Sequence, residues 1–101
     1  MTTQNARIGY TTLGGWDDTV PGPERPLTIG LLFEGDGWGQ GSGIFSGDIE
    51  KFITNVLHAV GANDWSKLKG SYCRIRREEG RIVAVGHLIE ERWFLFNSLY
   101  E

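Results

Sequence analysis

The sequence predicts an α+β fold, a mainly antiparallel β-sheet with one amphipathic helix packed on one of its faces. Three observations carry this. Apolar residues recur at Ile49, Phe52, Ile53, Val56, Leu57 and Val60, the spacing of one helical stripe. Two β-rich stretches fold around glycine-containing turns, one at Asp36-Gly37 and one at Glu78-Glu79-Gly80. Neither an internal repeat nor a low-complexity segment divides the 101 residues, so residues 1–101 are expected to form one domain.

The elements follow in order. "ARIGYTTLG" places Ile8, Tyr10, Thr11 and Thr12 in a short strand ending at Gly14-Gly15. The next segment holds Asp17 and Asp18 and all three prolines, Pro21, Pro23 and Pro26. Proline fixes φ and removes a backbone donor, so this segment reads as a connector.

Ile29, Leu31 and Phe33 then alternate with Thr28, Gly30 and Glu34, the period of a half-buried strand. Asp36-Gly37 suits a two-residue type I′ turn, whose central positions both need positive φ. That turn sets Phe33 opposite Gln40 and Leu31 opposite Ser42. Trp38 and Ile44 fall on one face of the returning arm, and Gly39, Gly41 and Gly43 on the other. Ser46 or Asp48 caps the helix and Gly61 ends it. Asp64 caps a further turn, "WSKL", which Gly70 breaks. A three-residue loop at 78–80 pairs Ile75 with Val83 and Cys73 with Val85, leaving Arg74 and Arg76 on the opposite face. The aromatic run "RWFLFN" adds a last strand.

Composition narrows the function. Hydrophobic residues make up 40% of the chain and charged residues 23%, as in an ordinary globular protein. A net charge of -3 disfavours nucleic acid as a partner unless a local basic patch overrides it. The one cysteine, Cys73, excludes an intramolecular disulfide and a cysteine-based zinc site, and fits a reducing cytoplasm. The N-terminus lacks the apolar centre of a signal peptide. No apolar run approaches the ~20 residues of a membrane span, so no membrane partner is expected.

The glycine run is not a phosphate loop, because Gln40 and Ser42 stand where a lysine would be needed and no helix follows at once. As a hairpin arm it lacks Cβ atoms on one face, which admits either an internal ring, Trp93 or Phe94, or an external partner. Trp38 reads as a core anchor or a recognition residue, and Trp65 and Trp93 as structural. Arg74, Arg76, Arg77 and Arg81 with Tyr72 form either a stripe for phosphates or acidic surfaces, or a solvated face paired with Glu78, Glu79, Glu90 and Glu91. His58 and His87 lack metal-ligand spacing, and alternation puts Cys73 on the core face with Ile75. Neither a metal, a cofactor nor a catalytic dyad is expected.

"LTIGLLFEGDGWGQGSG", "FITNVLHAVGANDWSKLKGSYCRI" and "RIVAVGHLIEERWF" together resemble a family of small phage proteins over about residues 6–94. Gly39-Gln40-Gly41 matches its glycine stretch. Trp65, Leu68 and Gly70 match its turn, Arg74 the following strand, and Gly86-His87, Trp93 and Phe94 its closing strand. The resemblance implies an accessory protein acting inside an infected bacterium and inhibiting a host defence system, CRISPR nucleases included. The expected function is therefore a non-enzymatic, anti-CRISPR type inhibitor that occupies the surface of an effector complex. Asp17, Asp18, Asp36, Trp38 and Gln40 are the expected contact residues. Two alternatives stay open: a nucleic-acid module using Tyr72, Arg74 and Arg76, and a protein that sequesters a small ligand on the glycine floor.

Overall fold

The first strand is far longer than its apolar residues suggest. In the computed structural model, which describes residues 2–16 and 27–100, strand β1 spans Thr2–Trp16. Its polar start, Thr2 to Arg7, is held as a strand by pairing with β5 (Tyr72–Glu78), so tertiary hydrogen bonds override weak local propensity. Gly9 and Gly14 interrupt the pairing of β1 with β2 (Leu27–Gly35) as β-bulges, which bend and twist the strand without ending it.

The remaining strands are β3 (Trp38–Gly41), β4 (Phe45–Ser46), β6 (Arg81–Gly86) and β7 (Trp93–Leu95). All pairings are antiparallel, in the order β3-β2-β1-β5-β6-β7, with β4 also pairing with β2. The α+β class read from the sequence is the observed one.

Helix α1 (Ile49–Val60) covers one face of this sheet. Asp48 caps it, its Oδ1 accepting from Lys51 N at 2.9 Å, and Gly61 ends it at φ 85°. Phe52, on the helix's buried stripe, stands at the centre of an aromatic cluster. It stacks on Phe45 and Phe96, with centroids at 5.5 and 6.1 Å, and meets Phe94 and Trp65 edge-on at 5.7 and 6.4 Å. Burying such a ring contributes about 2–3 kcal/mol. Ile8, Ile29, Leu31, Phe33, Ile75 and Val85 complete the core from the sheet side.

The second hairpin corrects the predicted register. Ile75 pairs with Val85 and Arg74 with Gly86, two residues from expectation. Glu79 and Gly80 both take positive φ, 52° and 78°, so the turn has two residues and not three. Val83 is bulged out between the pairs Arg76–Ala84 and Arg77–Ile82, which keeps both Ile82 and Val85 in the core.

Candidate functional site

Sheet register divides the expected contact residues between two surfaces. Trp38 and Gln40 lie at the tip of the β2–β3 hairpin, on the side facing α1. Arg74 and Arg76 lie on the opposite, helix-free face. Asp36 is exposed in the first turn. Asp17 and Asp18 lie outside the described residues.

The first hairpin has the expected register, with Phe33 opposite Gln40 and Gly35 opposite Trp38, but its turn is not the expected type I′: Gly37 takes positive φ, 78°, and Asp36 does not. Its tip is fastened to the second hairpin. Gln40 Nε2 donates to Gly80 O at 2.7 Å, and the Arg77 guanidinium sits 4.4 Å from the centroid of the Trp38 ring. Arg77 Nε is buried with no hydrogen-bond partner among the described residues, so the Trp38 ring is what offsets the desolvation of this cation. Trp38 also packs against the core. Of its two predicted roles, this contact supports the anchor.

The glycine side of the hairpin is bare. Among the described residues no side-chain atom comes within 4 Å of where a Cβ would stand on Gly37, Gly39, Gly41 or Gly43. The internal ring expected there lies elsewhere: Phe94 is in the core and Trp93 covers Gly86. Next to this floor, Tyr10, Thr12, Gly30, Leu32 and Ile44 border a shallow apolar groove of about 200 Å³. Ile44, expected on the same face as Trp38, is instead 76% exposed, because β3 ends at Gly41 and Gly43, at φ 85°, turns the chain before it.

A second groove, of about 500 Å³, runs between β3 and β6. Its walls include Gln40, Ser42, Arg81, Val83, Phe96 and Asn97. Arg81 is exposed and makes no ion pair with another described residue. Sequence reasoning grouped Arg81 with its neighbours in the chain. Its position across from Gln40 depends on the curl of the sheet, for which the bulge at Val83 left no signal.

On the helix-free face the cations are mostly engaged. Arg74 donates from Nε to His87 O at 2.7 Å, and from Nη2 to Glu90 O at 2.8 Å and Glu91 Oε1 at 3.0 Å. Trp93 Nε1 donates to Glu91 Oε2 at 3.1 Å. These bonds hold the Glu91 carboxyl below its ordinary range, the Arg74 hydrogen bond first among the causes. Arg76 stacks at 3.8 Å from the Trp93 ring centroid and has no hydrogen-bond partner among the described residues. Arg7 is paired with Glu34 through both Nε and Nη2, and Tyr72 is 64% exposed beside them. Arg7, Glu34, Asp36 and Tyr72 border an open hollow of about 420 Å³.

The reactive side chains are placed as follows. Cys73 is fully buried and its thiol is pushed up to about 12 by desolvation, so it stays protonated at neutral pH. His87 accepts at Nδ1 from the backbone N–H groups of Ile89 and Glu90, at 3.1 and 2.9 Å, and so orders the loop before β7. His58 is exposed on α1. Among the described residues no three His, Cys, Asp or Glu side chains are grouped to hold a metal ion, and no helix is long and apolar enough to cross a membrane. Comparison with protein-family models, curated proteins and solved structures finds no match to this chain.

Proposed function

We propose that this chain is a non-enzymatic binding module that occupies the surface of a protein partner through its first hairpin, β2–β3. One observation carries the reading: the hairpin is anchored from behind by Trp38 and Gln40, while its outer arm presents bare glycine backbone. A surface fixed in advance loses little conformational entropy on binding, and backbone without Cβ atoms permits close approach. The resemblance to small phage proteins supplies the partner class, an effector complex of a bacterial defence system such as a CRISPR nuclease. Acidic Asp36 at the hairpin's tip suits the basic nucleic-acid channel of such an effector.

Co-purification of the full chain with purified effector complexes, beside phage-protection assays in vivo, tests this. Asp36→Lys is the informative variant, because Asp36 is exposed and its replacement leaves the core untouched. Binding by wild type that weakens in Asp36→Lys supports the reading. Absence of any complex, together with absence of phage protection, sinks it.

A second reading, single-stranded nucleic acid on the helix-free face, is favoured by exposed Tyr72 on the same face of β5 as Arg76, which stacks on Trp93. Its discriminating variant is Arg76→Ala, since Arg74 also holds the loop before β7. Affinity that falls steeply with salt, and is lost in Arg76→Ala, would select it.

A further inference from the structure

We infer that the free edge of β3 takes up an extended segment of the partner protein, added as a strand in the gap between β3 and the first half of β6. This rests on the protein-binding reading above and specifies its mode. Ser42 N donates to Leu31 O at 2.8 Å, so the even-numbered residues of this arm turn their backbone groups toward β2. By alternation Gly39 and Gly41 turn theirs outward, to an edge with no strand beside it among the described residues. Across the gap, β6 pairs with no other described residue on its outer side at residues 81–83, since its pairing with β7 begins at Ala84.

Strand directions agree with an insertion. Each step from β3 through β2, β1 and β5 to β6 is antiparallel, so β3 and β6 run the same way. A segment antiparallel to one is antiparallel to both. Such an addition gains affinity from main-chain hydrogen bonds and specificity from pockets for alternate side chains. Here the two sets of side chains meet different surroundings. One set lies over Gly39 and Gly41, next to the apolar groove of Tyr10, Leu32 and Ile44, and suits large apolar residues. Arg81, which pairs with Glu78 in the β5–β6 ladder and alternates with core-facing Ile82, lies toward the same face, where an acidic residue of that set complements the guanidinium; the other set enters the groove beside Phe96. The occupant is therefore a strand-forming segment that carries one carboxylate among the apolar residues of the side lying over the glycines.

The test titrates isotope-labelled full chain with a capped peptide of about ten residues, alternating Val and Thr with one central Asp, long enough to span the four residues of β3. The panel includes Lys in place of that Asp, and the Asp peptide with alternate backbone amides N-methylated. The expected result is slowed hydrogen exchange and shifted resonances at the Gly39 and Gly41 amides. Affinity should fall roughly tenfold for the Lys peptide and vanish for the methylated one. Gly41→Pro should also abolish binding, because proline removes an outward donor yet is tolerated on an edge strand. Gly39→Pro serves as the second variant if the first lowers the urea midpoint. Equal binding of the methylated peptide, no binding by any peptide, or shifts at Tyr72 and Arg76 instead would each overturn the inference. So would Gly39 and Gly41 shifts that depend on protein concentration without peptide, which would mean that the edge pairs with a second copy. An effector that co-purifies equally with wild type and Gly41→Pro leaves the protein-binding reading standing and removes strand addition alone. Peptide binding without any effector complex does the reverse.

Discussion

The Arg77 guanidinium lies over the Trp38 ring, 4.4 Å from its centroid, and this contact joins the tips of two hairpins that are not neighbours in the sheet. Trp38 follows the first turn and Arg77 precedes the second. With the Gln40–Gly80 hydrogen bond it holds the sheet curled. A double-mutant cycle of Trp38→Ala and Arg77→Ala, read by urea denaturation, should give a coupling of about 0.5–1 kcal/mol. Trp38→Ala alone should cost more, about 2 kcal/mol, since it also removes packing on the core. Strictly additive costs would mean that the ring and the cation do not support each other.

Gly86 predicts a conditional clash. A Cβ there would stand 2.6 Å from Cδ2 and Cε3 of Trp93, closer than side-chain carbons approach. Gly86→Ala should therefore displace the ring and disturb its contacts with Arg76 and Glu91, costing about 1–3 kcal/mol. In a Trp93→Ala background the same substitution should cost almost nothing. A penalty that persists without the indole would place the strain in the backbone instead.

How far this arrangement was legible in the sequence depends on the distance over which each residue acts. The register of the first hairpin was readable because Asp36-Gly37 fixes it locally, and Asp48 and Gly61 mark the helix ends by short-range capping. The second hairpin was misread by two residues because Glu79 occupies a left-handed conformation that favours glycine or asparagine, so its two-residue turn carries no signal. The polar start of β1 becomes a strand only through β5. Trp93 pairs across the sheet with Gly86 in place of the glycine run because β7 adds beside β6, a choice that no local pattern encodes. At the candidate site, glycine alternation was visible. The opposing edge of β6 and unpaired Arg81 were not, because both depend on the curl of the whole sheet.

Cys73 ties stability to alkaline pH. The folded thiol is pushed up to about 12 by burial, whereas in the unfolded chain it ionises near 8.5. The protonated form is the one the fold favours, so its contribution is complete below about pH 8.5 and declines as pH rises from there toward the folded value. Between pH 7 and pH 9.5 wild type should lose roughly 1 kcal/mol relative to Cys73→Val, whose side chain does not titrate. The native thiol should also resist a disulfide reagent that labels it at once in urea. Rapid labelling of the folded protein, or parallel pH curves for the two chains, would contradict this burial.

Glu79 is a position where the native sequence leaves stability unused. It sits at φ 52° in a turn whose next residue, Gly80, is at 78°. A Cβ in this region costs about 1–2 kcal/mol in an L-residue, against roughly 0.5–1 kcal/mol of extra chain entropy for glycine. Its side chain is exposed and contributes no packing that a smaller residue would forfeit. Glu79→Gly should therefore raise stability by about 0.5–1 kcal/mol, and Glu79→Asn by somewhat less. Urea midpoints should rise with unchanged slope, and hydrogen exchange at the β5–β6 pairs should slow. A fall in stability for both variants would mean that Glu79 supports the turn through its side chain. Gly80→Ala provides the internal control: with φ at 78° it should destabilise, because there glycine already occupies the position that requires it.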